Sequence, residues 1–116
     1  MSEPLVVLVT AGGRDEADRV ASALVEEGLA ACVNVVPGVR SVYRWQGRVE
    51  RAEELLLVIK TARHLLPGVV ARVASLHSYT VPEVVALPIR GGSAAYLDWL
   101  SGAVLPEAGA GEPPGE

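Results

Sequence analysis

Lysine, cysteine, methionine, asparagine and glutamine each occur once in 116 residues, and phenylalanine is absent. The lone Cys32 excludes an intrachain disulfide framework, and with neither a CxxC nor an HExxH pairing the chain lacks the sequence pattern of a closed structural zinc site. Nine arginines stand where lysines are missing, a bias that a hot habitat or genomic composition would each produce. Scattered among 14 acidic residues, they leave a net charge of −4 and a pI near 5.2, a poor electrostatic footprint for nucleic acid or an anionic membrane. Long hydrophobic runs are missing too. The runs "LVVLV" and "LLLVI" fall far short of the roughly 20 residues a bilayer span needs, and "MSEP" carries no basic, apolar leader pattern. A soluble, cytoplasmic chain is expected. No Ser/His/Asp or Cys/His/Asn constellation is apparent, so enzymatic activity is not expected.

What is present is apolar surface. Half of the residues are hydrophobic and mean hydropathy is +0.32, high for a chain without a membrane span, so some of that surface is expected to be covered by something other than the chain's own fold. The length suits one domain, residues 1–105, and the Pro/Gly/Glu-rich residues 106–116, with nothing to bury, are expected to be disordered.

Residues 5–10, "LVVLVT", read as a central strand. Residues 14–28 place Ala17, Val20, Ala21, Leu24 and Val25 at helical spacing, with Asp15 and Glu16 in the first turn and Gly28 at the end. A long strand over 32–44, a tight turn at "RWQGR" and a second buried strand around Leu55–Ile59 follow. Residues 65–77 form a second helix, with Pro67 in its first turn and a stripe of Leu66, Val69, Val70 and Val73 that His77 would continue. "PEVVALPI", bracketed by Pro82 and Pro88, belongs at a sheet edge, and Ser93 caps a short third helix with Leu97 and Leu100 inward.

The order is βαββαβ plus a C-terminal helix, an α+β ferredoxin-like fold with an antiparallel sheet, strands one and three inside and both main helices on one face. Residues 32–44, if extended, span about 43 Å at roughly 3.3 Å per residue, against a diameter of about 35 Å for a compact body of this length. The hairpin therefore overshoots its own domain. Pro37-Gly38 permits a bulge in mid-strand, and an edge rich in Val33, Val35, Val36, Val39 and Val42 needs a partner strand, most economically another copy of the chain in a closed ring.

"ACVNVVPGVRSVYRWQGRVERAEELLLVIKT", then "HSYTVPEVVALPI" and "YLDWL", resemble the CutA family of divalent-cation tolerance proteins over about residues 5–101. The resemblance implies a tightly packed homotrimer built through long hairpins, a likeness in fold to trimeric nitrogen-regulatory signalling proteins, and a link to tolerance of copper and other divalent cations. In eukaryotic relatives it implies anchoring of acetylcholinesterase. It marks Cys32 and His77 as metal-site positions. Ser78 and Thr80 depart from the family's usual Pro and Glu, while Tyr79, Pro82 and Glu83 are kept.

A thiolate and an imidazole suit copper or zinc, with no cofactor obligatory, and a third ligand is needed, for which Glu83 or a group from another subunit is the candidate. The competing reading makes Cys32 a small buried hydrophobe and His77 a helix-terminal cation. Tyr79 and Glu83 either line a ligand cleft between subunits, or Tyr79 plugs an interface while Glu83 pairs with an arginine such as Arg72. Tyr43 and Trp45 at the hairpin tip read as interface anchors, and Lys60 either as a base of lowered pKa or, more simply, as half of a rim salt bridge with a glutamate. "TAGGRDEAD" matches no phosphate-loop pattern, and Asp15 and Glu16 would repel an anion there. The function expected is a non-enzymatic, trimeric divalent-cation (copper) binding protein, the alternatives a metabolite-binding signalling module or a scaffold for a protein partner.

Overall fold

A computed structural model describes residues 2–107. The elements run β1 (Pro4–Ala11), α1 (Arg14–Glu26), β2 (Cys32–Trp45), β3 (Arg48–Ala62), α2 (Leu66–Leu76), β4 (Val85–Pro88) and α3 (Ala94–Gly102), with a short 3-10 turn (Arg63–Leu65) ahead of α2. The four strands form one antiparallel sheet in the order β2-β3-β1-β4, with β1 and β3 inside, as the sequence predicts. The tail expectation falls, from Ala108 onward, outside the described residues.

Burial along β1 alternates strictly: Leu5, Val7, Val9 and Ala11 are buried, while Val6, Leu8 and Thr10 are half open. The buried set faces Ala17, Val20 and Leu24 of α1 and Val69 and Val73 of α2, and joins Leu57 and Ile59 of β3 in one core. Side chains of a strand alternate between faces, so the even-numbered set lies on the opposite face. That face carries Leu56 and Val58 of β3, Val36 of β2, and Val85 and Leu87 of β4 beside Val6 and Leu8. Val36, Val85 and Leu87 are each more than 40% exposed, so among the described residues this apolar face is left without a full cover.

β1 ends its pairing at Leu55, but β3 continues outward to Arg48, so residues 48–54 and 39–45 form a two-stranded ribbon beyond the body of the sheet. The longest dimension is 55 Å against 29 and 25 Å across, and the radius of gyration is 15.6 Å where a compact domain of this length has about 13 Å. Pro37-Gly38 form the expected bulge: Val36 pairs with Leu56 and Val39 with Glu54, so β2 advances three residues against two. Gly38 sits at φ 82, the left-handed region open to glycine. At the tip, Gln46 and Gly47 have φ 50 and 79, both positive as a two-residue type I′ turn requires.

Most boundaries shift by one or two residues, the first helix ending at Glu26 instead of residue 28, and two differences bear on the site. β4 spans only Val85–Pro88 instead of the whole of "PEVVALPI", because Thr80–Val84 form the loop that carries the chain onto the sheet edge. α2 stops at Leu76, and His77 is its C-cap in extended conformation (φ −84, ψ 144), so it does not continue the helical stripe. Ser93 caps α3 by accepting the Tyr96 N–H at 3.3 Å; Leu100 is buried and Leu97 half buried.

Candidate functional site

Where the ribbon leaves the sheet, the loop after α2 crosses the end of β1 and encloses a cleft of about 670 Å³. Ser41, Tyr43 and Trp45 of β2 and Glu54 of β3 form one wall, and Tyr79 and Glu83 belong to the opposite loop. Their shared orientation follows from the ladder: Val39, Ser41, Tyr43 and Trp45 pair with Glu54, Ala52, Glu50 and Arg48, and directly paired residues share a face. The bulge makes this possible, since without its extra residue absorbed, Val36 and Val39, an odd number apart, would face opposite ways.

Glu54 is the residue the sequence reading missed. It is 6% exposed, on the face away from α1 and α2, and its Oε2 accepts the Tyr79 hydroxyl at 2.8 Å. A buried carboxylate is costly unless hydrogen-bonded, so Tyr79 and Glu54 hold each other in place. Burial, followed by the hydrogen bond and negative charge of Glu54, pushes the Tyr79 phenol up to about 12. Gly12 completes the fit, because a Cβ there would stand 2.9 Å from the Tyr79 hydroxyl oxygen. The sequence signal for Glu54 was only its place as the last acid before the apolar block "LLLVI", legible once the pairing with Val39 is known.

His77 anchors the loop. Its Nε2 donates to the Thr10 carbonyl at 2.7 Å and its Nδ1 accepts the Tyr79 N–H at 3.1 Å, the pattern of a neutral imidazole with both nitrogens engaged. Glu16, read from the sequence only as a first-turn acid, accepts the Ser78 N–H with Oε1 at 2.9 Å and brings Oε2 to 3.6 Å from His77 Nδ1. The loop is thereby tied to β1 and α1.

Cys32 is elsewhere. It pairs with Lys60, which pairs in turn with Val6, whereas His77 binds at Thr10, four residues further along β1 or about 13 Å at strand spacing. The chain thus brings Glu83 and Tyr79 together with Tyr43 and Trp45, but neither Cys32 nor Lys60 joins them. Lys60 donates to the Asn34 side-chain carbonyl, not to a glutamate, because Asn34 lies two residues from its β2 partner on the same face. Arg72 binds Glu27 at 2.8 Å, which leaves Glu83 to the cleft. Among the described residues, no group of three or more His, Cys, Asp or Glu is arranged to hold a metal ion.

The Tyr79 shift gives a pH test. Its folded pKa lies above the unfolded value near 10, so its contribution to stability is complete below pH 10 and is lost as pH rises toward 12. Tyr79→Phe is expected to flatten the decline of the thermal midpoint between pH 10 and 12; identical slopes in both proteins would contradict the Tyr79–Glu54 pairing.

Comparison with known proteins places these features among relatives. The family profile for CutA1 divalent ion tolerance protein matches residues 5–103. The divalent-cation tolerance protein CutA of Thermus thermophilus is 58% identical over 95 residues, 82% of this chain and 92% of that protein. The chloroplastic protein CutA of Arabidopsis thaliana is 51% identical over 96 residues, 83% of this chain but 53% of the relative, so the chain spans about half of that plant protein. Among solved structures, the Thermus thermophilus divalent cation tolerance protein superposes with a TM-score of 0.86 at 54% identity, covering 87% of this chain and 98% of that one. Oryza sativa CutA1 gives 0.87 at 45% identity, covering 90% and 95%. A structure from Archaeoglobus fulgidus, 37% identical with a TM-score of 0.85 and covering 88% of this chain and 99% of that one, is titled periplasmic, so the names of relatives differ in compartment. No helix among the described residues is long and apolar enough to cross a membrane.

Proposed function

Because the chain belongs to the CutA1 divalent ion tolerance protein family, we propose that it works in the cytoplasm as a homotrimer without catalytic chemistry, handling cations in the cleft beneath its hairpin. The observation that carries this reading is an apolar sheet face that the described residues leave uncovered, continuous with a ribbon that pairs, among them, with no further strand on either outer edge. A two-stranded ribbon is marginal in water by itself, and an open edge strand invites pairing. Copies of the same chain, closing in a ring, supply both the missing edge and the missing cover. The cleft opens on that face, so its outer rim belongs where copies meet.

Copper or zinc held by Cys32 and His77 together does not fit one chain. The two lie in different rows of the sheet, and both nitrogens of His77 already have partners. The cation-handling role rests on the carboxylates of Glu54 and Glu83 instead. Sedimentation equilibrium at micromolar concentration is expected to give three chains per particle, and zinc titrations of the native protein and of His77→Gln are expected to superimpose. A folded lone protomer, or a zinc isotherm that collapses in a well-folded His77→Gln variant, would overturn the reading.

A further inference from the structure

We propose that the cleft takes a small organic cation, a molecule bearing one or more ammonium or guanidinium groups, with Glu54 as its charged anchor. The proposal rests on the cleft being the working surface, as argued above, and names what occupies it.

The lining decides the class. Two carboxylates, Glu54 and Glu83, face the space, and among the described residues no lysine, arginine or histidine contributes to its walls. A phosphate or carboxylate ligand would meet only negative charge there. Glu54 is withdrawn from water, with 6% exposure, and the Tyr79 hydroxyl engages one of its oxygens, Oε2. A carboxylate accepts at both oxygens, so the anchor retains capacity for a charged donor. Tyr43 and Trp45 stand on the same wall, each 43% exposed, and supply aromatic surface of the kind whose quadrupole attracts a cation. A hydrated divalent metal gains little from such rings and asks for more oxygen ligands than two glutamates provide. The volume of about 670 Å³ lies within the range of small-molecule sites and exceeds what a bare ion needs.

The test is calorimetric titration of the full chain with 1,4-diaminobutane, agmatine and spermidine in about 0.15 M salt, where long-range attraction is screened, with 1,4-butanediol as the neutral control. Saturable binding at one site per chain by at least one amine, and none by the diol, is expected. Replacing a charged by a neutral acceptor in Glu54→Gln is expected to weaken it about tenfold, and the exposed Glu83→Gln severalfold, less so as salt is raised. No saturable amine binding, equal affinity in both variants, or equal binding of the diol would overturn the proposal. If Glu54→Gln fails to fold, Glu83→Gln carries the test, and an unchanged affinity there overturns it. The particle mass separates the two readings: a trimer that binds no amine sinks this inference alone, while a lone protomer sinks the assembled cleft whatever it binds.

Discussion

Replacing Val58 by glutamate is expected to leave a folded chain that no longer assembles. Val58 lies on central strand β3, on the face turned away from α1 and α2, between Leu8 of β1 and Asn34 of β2. In the single chain this position is half exposed, and a carboxylate there keeps its water. If three copies press their sheets together at this face, each new carboxylate loses its water with only Lys60, already bound to Asn34, in reach, and like charges are gathered between copies, at up to about 3–5 kcal/mol apiece. Three such charges weaken assembly by several orders of magnitude, at about 1.4 kcal/mol per tenfold. Sedimentation should then show protomers whose far-ultraviolet circular dichroism matches the native protein. An unchanged particle mass would show that this face is not where copies meet.

Leu57→Ala, one residue away, should do the opposite. Leu57 is fully buried and points into the core between the sheet and both main helices. Truncating it removes apolar contacts and leaves a cavity, a loss of about 2–5 kcal/mol. The thermal midpoint should fall by about 10 °C or more, while particle mass below the transition stays that of the native protein, because the opposite face is untouched. The pair of variants separates folding from assembly within a single step along one strand.

The sheet order, the overlong hairpin and the bulge were legible because they rest on local signals: continuous apolar runs, Pro37-Gly38, and the positive φ that Gly47 permits. The family resemblance was legible too, and is shown by the profile over residues 5–103. The chemistry was less so. His77 sits at helical spacing from Val70 and Val73, yet the helix ends one residue earlier and the ring turns to the Thr10 carbonyl, a long-range contact that no spacing encodes. Cys32 and His77 were paired by the family resemblance and by residue types that suit a metal, not by any spacing in the sequence. The register that holds them apart is fixed by β1 and β3, not by either residue's neighbours. Glu54 was overlooked for the converse reason: in sequence it is one of several charges crowded between Arg48 and the apolar block, and what sets it apart is the register that turns it to the cleft face, against Tyr79.

The bulge at Pro37-Gly38 divides β2 into two stretches with different obligations. Cys32–Val36 answers to the core, since Val33 and Val35 pack against it, whereas Val39–Trp45, among the described residues, pairs with β3 alone and faces the cleft. A bulge bends and twists the strand that carries it, so the outer arm leaves the sheet at its own angle while β3 runs past the joint unbroken. Substitutions at Val33 or Val35 therefore fall on interior packing, and those at Tyr43 or Trp45 on the ribbon and whatever meets it.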